Sequence, residues 1–248
     1  MRERVVASSI MILAVVFGVG SLALFIGFPV GSVEATTTRW PLVGILLWDG
    51  LLSLVFFLQH SGMVRRQFRA KVAGVIPPPY YRAVYTIATG VVLAGVVVLW
   101  QPSRDHLLLV PGPLSWAARA LILGAVALFL WGAFTLRDLD LFGLGSIRMH
   151  LRGGAEPAPV FIVRGPYRWV RHPWYLGAIL LFWSSTDITS DRLLFNILWT
   201  GWIYVATRWE EADLLKDFGC AYEAYRRQVP MLIPWRRPYA ASPAAAAQ

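Results

Sequence analysis

The sequence predicts an all-α integral membrane protein with about six transmembrane helices and a C-terminal helical hairpin that carries the chemistry. Three observations lead there. The 248-residue chain is 57% hydrophobic and only 15% charged, where soluble domains are about a quarter charged. Several apolar runs approach or exceed the roughly 20 residues that cross about 30 Å of hydrocarbon. Nineteen of the 23 Lys and Arg residues fall on one side once those runs are threaded through a membrane. A membrane β-barrel would instead show alternating segments of about ten residues, and none is present.

The first run, Val5 to Phe28, exceeds the roughly 7–15 residues of a signal-peptide core and reads as a retained helix. The second covers Leu42 to about His60, the third Tyr80 to Trp100 and the fourth Leu114 to Leu136. A polar connection runs from Arg137 to His172. The last apolar block, Pro173 to Trp209, is interrupted by SSTDITSD at residues 184–191. Ser, Thr and Asp favour turns and helix caps, so this block folds back as a hairpin. Its first arm, Trp174 to Trp183, is short for a crossing. Residues 1–136 thus form a four-helix membrane region and 137–239 a site-bearing region. The small-residue tail, 240–248, is expected to be disordered.

Placing the N-terminus in the cytoplasm leaves only Arg39, Arg104, Arg119 and Arg192 on the far side. That bias predicts both termini inside, an even number of spans and a multi-pass protein of the lipid bilayer. It also explains the net charge of +9 without nucleic acid, because the basic residues are spread through membrane loops. The single cysteine, Cys220, excludes an internal disulfide and a cysteine-rich metal site. His60, His150 and His172 follow no metal-ligand spacing, so no metal is expected.

The stretch RGPYRWVRHPWYLG, Arg164 to Gly177, gathers charge and aromatic rings ahead of the hairpin. Pro173 suits the first turn of a helix, and Gly177 lets another helix or a ligand approach closely. Trp169 and Trp174 also suit a membrane-edge aromatic belt. Across the hairpin lie Arg208, Glu210, Glu211 and Asp213. Carboxylates beside hydrocarbon are costly unless paired or functional. Two arrangements satisfy this: an ion pair of Arg171 or Arg208 with Glu210 or Glu211, or a ligand carrying both an amine and an anionic group.

The two motifs together resemble the membrane methyltransferases of the isoprenylcysteine carboxyl methyltransferase and phospholipid N-methyltransferase group. The match runs through Gly165, Pro166, Tyr167, Arg171, His172, Pro173, Tyr175 and Gly177. It continues in RWEEADLLKDFGCAYEAYRRQVP at Glu210, Glu211, Leu214, Phe218, Gly219, Tyr222 and Tyr225. The resemblance implies S-adenosylmethionine (SAM) held near the cytoplasmic surface. The residues it points to are Tyr167, Arg168, Val170, Arg171, His172, Tyr175, Leu176, Gly177, Glu210 and Glu211. One of the two glutamates would meet the cofactor's α-ammonium group. The sequence has no strand followed by GxGxxG for a Rossmann-type cofactor site.

The N-terminal half narrows the branch. LLWDGLLSLVFFLQHSGMVRRQF, LRDLDLFGLGSIRMHLRG and the closing VPMLIPW are similar to the bacterial methanethiol S-methyltransferases and the related NnrU-type membrane proteins. This wider likeness covers most of Leu42 to Trp235. It implies methyl transfer to a small thiol, giving dimethyl sulfide, in a bacterial inner membrane. Free alkyl thiols are mostly protonated at pH 7 and the thiolate is the nucleophile, so a base is needed. His60 and Asp140 are the candidates, with Gln59, Asp138 and Arg208 near the acceptor. His60 also reads as an interfacial cap of its helix, and Asp49 as a partner for a neighbouring helix. The chain departs from the thiol methyltransferases in carrying Arg137-Asp138 where they tend to carry Asn-His. The alternatives are methylation of an isoprenylcysteine carboxylate or a lipid amine, and a non-enzymatic NnrU-type membrane protein.

Overall fold

The computed structural model describes residues 2–30, 39–137, 139–154, 161 and 163–239. It is built almost wholly of helices: α1 (Arg2–Gly27), α2 (Leu42–Val64), α3 (Arg66–Val72), α4 (Pro78–Leu99), α5 (Leu114–Thr135), α6 (Leu144–Leu151), α7 (Pro173–Phe182) and α8 (Ser190–Gln228). Four of them, α1, α2, α4 and α5, are long and apolar enough to cross a membrane. They begin and end within a few residues of the four runs read from the sequence. The two further spans expected from the last apolar block rest on less. Helix α7 has ten residues and rises about 15 Å, half the hydrocarbon thickness. Helix α8 is apolar only in its first half.

The interruption at residues 184–191 is more than a turn. Asp187–Thr189 forms a short strand (β2) that pairs antiparallel with His106–Leu109 (β1), with His106 opposite Thr189. Hydropathy patterning gives no sign of so short a pair.

The chain divides into two compact units. The first holds Met1–Val110, Leu139–Ala158 and Ser185–Trp199. In it α1 packs on α4 through small residues: Ala7, Ala14, Gly18 and Ser21 are the buried positions of α1. A side chain at Gly90 would run into the backbone of Phe17. Close approach of this kind substitutes for the hydrophobic drive that lipid removes. At the C-terminal end of α4, buried Asp191 accepts hydrogen bonds from the Ser103 amide (3.0 Å) and hydroxyl (2.6 Å) and from Trp100 Nε1 (3.0 Å). Asp49, fully buried, accepts the Gln101 amide at 3.0 Å. These two carboxylates fasten the turn after α4, so Asp49 serves that turn, where a bond to a neighbouring helix was expected.

The second unit holds Pro111–Asp138, Pro159–Ser184 and Thr200–Gln248. Helix α5 packs on α7: Trp174 covers Gly132, and Gly177 faces Phe129 and Ala125. Helix α8 breaks at Gly219, whose φ of 51° and ψ of −127° are non-helical. Beyond the break Tyr222, Tyr225 and Val229 form a small buried cluster with Phe161, Val163 and Phe218.

Candidate active site

In the second unit the RGPYRWVRHPWYLG segment is shaped by its glycine and prolines. Gly165 has φ +57°, a left-handed conformation, and a β-carbon there would strike Thr135 of α5. Only glycine meets both demands. Arg164 anchors the turn by donating from Nε (3.1 Å) and Nη2 (2.8 Å) to the Thr135 carbonyl. Gly165–Arg168 then forms one 3₁₀ turn, and Pro173 opens α7.

Arg171 and His172 meet the glutamates of α8. Arg171 places Nε and Nη2 each 2.6 Å from Glu211 Oε1. Its Nη1 donates to the carbonyls of Arg226 and Val229. His172 Nε2 lies 3.3 Å from the same Glu211 oxygen, and its Nδ1 lies 3.7 Å from Glu210 Oε2. The imidazole stacks on Tyr175, ring centres 5.4 Å apart and 4° from parallel. Tyr175 donates its hydroxyl to Glu210 Oε2 at 2.8 Å.

The adjacent glutamates therefore differ. The Glu211 side chain is 4% exposed and that of Glu210 is 45% exposed. Burial works against ionisation of Glu211. The hydrogen bonds and charges of His172 and Arg171 more than offset it and hold the carboxyl down at about 2. Arg171 is spent on this pair and on two backbone carbonyls. Of the two arrangements open from the sequence, the ion pair is made by Arg171 with Glu211, while Glu210 presents an exposed carboxylate beside a tyrosine and a histidine.

The backbone of the segment is tied down as well. The amides of Arg171 and His172 donate to Pro230 (2.9 Å) and Met231 (3.2 Å), and Tyr239 donates to the Arg168 carbonyl (2.8 Å). Arg168 Nε reaches the Tyr239 carbonyl at 2.6 Å. Tyr225 donates its hydroxyl to the Tyr167 carbonyl at 2.6 Å. Burial, and then the Glu210 charge, pushes the Tyr167 phenol well above the ordinary tyrosine range. Val170 and Gly177 are buried, and Leu176 is half-buried.

The first unit carries a separate polar group on α2 and α4. His60 Nδ1 lies 2.9 Å from the Tyr85 hydroxyl. Its ring stacks on Phe56 with centres 5.2 Å apart and 17° from parallel. Gln59 directs Nε2 to Met63 Sδ (3.1 Å) and Thr89 Oγ1 (3.3 Å). Asp140 has a different task. Its Oδ2 accepts the Ser146 amide (2.8 Å) and hydroxyl (3.0 Å) in the first turn of α6, and its carbonyl accepts Arg82 Nη1 at 3.0 Å. Burial pulls its pKa up, but the amides of Gly145 and Ser146, the Ser146 hydroxyl and the Arg82 charge outweigh burial and hold it below the usual carboxylate range. A carboxylate so engaged is a weak base.

The chain is 35% identical over 232 residues to a methanethiol S-methyltransferase of a Pseudomonas species, covering 91% of this chain and 86% of that one. It is 34% identical over 235 residues to the methanethiol S-methyltransferase of Mycobacterium tuberculosis, covering 90% and 96%. This chain belongs to the methanethiol S-methyltransferase family. More distantly, it is 27% identical over 187 residues to nurim of Rattus norvegicus, covering 68% of each. No family model and no solved structure matches it.

Within this member of the methanethiol S-methyltransferase family, the expected cofactor residues from Tyr167 to Gly177 and Glu210–Glu211 lie together in the second unit. His60 and Gln59 lie together in the first, apart in sequence from Asp140, which caps α6. Arg208 is exposed on α8. Asp138 lies outside the described residues, as do 240–248. Sequence reasoning missed Tyr85, one more aromatic in an apolar helix, and the clamp made by Pro230 and Met231. The closing VPML motif could have marked that clamp, since a short apolar segment outside any helix must spend its backbone carbonyls somewhere.

Proposed function

We propose that this protein is an integral-membrane enzyme that methylates methanethiol, giving dimethyl sulfide, with SAM as the methyl donor. The observation that supports it most directly is the exposed Glu210 carboxylate, set beside a buried Arg171–His172–Glu211 group, in a chain of this family. The donor set suits SAM. Glu210 and the Tyr175 hydroxyl offer acceptors for an α-ammonium group, and the stacked His172 and Tyr175 rings offer an aromatic face. When bound, SAM supplies an electrophilic methyl on a sulfonium.

The protein's own residues have three tasks in this reading. Glu211 holds Arg171 and His172 in place, and Arg171 in turn holds the segment after α8. Glu210 fixes the charged end of the cofactor. His60 removes the thiol proton. General-base catalysis of this kind contributes about 10²–10⁴-fold. The bias of basic residues supports a cytoplasmic-membrane location with both termini inside.

The test uses purified full-length protein in nanodiscs. SAM binding is followed by calorimetry and dimethyl sulfide by gas chromatography, with a prenylcysteine analogue and phosphatidylethanolamine as competing acceptors. Heat with SAM and turnover of methanethiol are expected. Absence of both, or turnover of the large acceptors alone, overturns the proposal.

A further inference from the structure

After α8 ends at Gln228, the chain runs without regular structure to Tyr239. Both ends of this stretch are pinned to the segment that precedes α7. The carbonyls of Pro230 and Met231 accept the amides of Arg171 (2.9 Å) and His172 (3.2 Å), and the Tyr239 amide donates to the Arg168 carbonyl (2.8 Å). Between the pins, residues 233–237 all stand exposed. Ile233 is 69% exposed and Trp235 66%, and apolar surface of this kind gains by leaving water. Pro230, Pro234 and Pro238 recur at every fourth position and fix φ, so the loop is stiff.

The pins also set the level of the loop. Arg164 donates to the carbonyl of Thr135, the last residue of α5, and Trp174 covers Gly132 one turn earlier. Arg171 and His172 lie between these two anchors, so the loop they hold lies at the edge of the apolar run of α5. The bias of basic residues assigns this edge to the cytoplasm. The charge along the stretch has one sign: from Ala224 to Tyr239 the chain carries Arg226, Arg227, Arg236 and Arg237 and no acid. The Arg236 guanidinium lies 4.3 Å over the Trp235 ring and donates to the Arg227 carbonyl. An indole with a cation flat against it suits the headgroup level of a bilayer, apolar on one side and wet on the other.

We propose that residues 232–237 form a membrane-surface anchor. Ile233 and Trp235 seat in the edge of the bilayer, and Arg236 and Arg237 meet the phosphates of anionic phospholipids. The seat holds Pro230 and Met231 against the Arg171–His172 segment. Each arginine near an anionic surface favours seating by about five-fold, so the pair contributes about 30-fold. Without the seat the exposed half of the loop is held by solvent alone, and the two amides it receives beside Tyr175 and Glu210 loosen. The link from the seat to SAM affinity rests on the cofactor reading given above; the seat itself does not.

The test uses the full chain in nanodiscs of phosphatidylcholine with phosphatidylglycerol. A nitroxide is attached at Ile233→Cys in a Cys220→Ser background, and its collisions with oxygen and with a water-soluble nickel chelate are measured. We expect a label open to oxygen and shielded from nickel. Trp235→Ser with Arg236→Gln and Arg237→Gln should expose it to nickel and, without the label, weaken SAM binding about 10-fold by calorimetry. Arg236→Lys with Arg237→Lys should keep both properties, and thermal melts report that the variants are folded. A wild-type label open to nickel as in water, or shielded from both reagents by protein, overturns the anchor. Equal depth in phosphatidylcholine alone overturns the role of the arginines. A seated loop whose triple variant binds SAM as wild type does overturns the link to the site. If the wild type binds no SAM while the label is seated, the cofactor reading fails and the anchor stands.

Discussion

The two polar groups of this protein solve the same problem by opposite means. In the second unit Arg171, His172 and Glu211 are ionisable and nearly buried, and they are tolerable only because each meets another or a backbone carbonyl. In the first unit His60, Tyr85, Gln59 and Thr89 lie among apolar helices, where a neutral hydrogen bond suffices. Stability should therefore be concentrated in the charged group. The neutral group can lose a hydroxyl with little loss of fold.

The largest expected effect tests the charged group. Glu211→Gln leaves the Arg171 guanidinium buried without its counter-charge and should destabilise by about 3–5 kcal/mol, the usual cost of breaking a buried pair. A thermal melt in detergent measures it, and a drop under 1 kcal/mol would show that the pair is not buried in the membrane protein. The neighbouring Glu210→Gln should leave the melt nearly unmoved yet weaken SAM binding about 10-fold, about 1.4 kcal/mol. Equal effects of the two variants on both readouts would erase the distinction drawn between them.

Gly165→Ala comes next. It places a β-carbon on left-handed backbone against Thr135 and should cost about 1–3 kcal/mol. Acid should act through Glu211 in the same direction as its substitution. The folded carboxyl is held at about 2 where an ordinary glutamate lies at 4.5, so the stability it contributes is complete above pH 4.5. That contribution is lost as pH falls from 4.5 toward 2. Melts across that interval should shift less for Glu211→Gln than for wild type. The smallest effect is expected at Asp140→Asn, which weakens the cap on α6 by about 1 kcal/mol and should lower turnover less than His60→Gln does.

Most of the fold could be read in advance, but the reading was uneven for physical reasons. The four long spans were legible because hydrocarbon demands an unbroken apolar run, and nothing subtler is needed to place Leu42–Val64 or Leu114–Thr135. The β1–β2 pair was not legible, since three or four residues pairing across some 80 positions of chain leave no local period. That Arg171, His172, Tyr175 and the two glutamates meet was legible from two polar motifs flanking one hairpin. The division of labour among them was not. Glu210 and Glu211 are the same residue type at adjacent positions, and successive residues on a helix point about 100° apart. Only their neighbours separate a buried partner of Arg171 from an exposed acceptor. Asp140 is a similar case, a carboxylate in a motif that the start of α6 turns into a cap.

The sequence by itself determined the membrane spans, the bias of positive charge and membership of a methyltransferase family, because these depend on composition and on order along one chain. Only the tertiary structure decided which glutamate is buried, what holds Arg171, and that Tyr85 stands at the edge of His60. Those depend on which side chains from distant segments meet. In a low-dielectric interior the meeting decides whether a polar group is a strut or is left free to act.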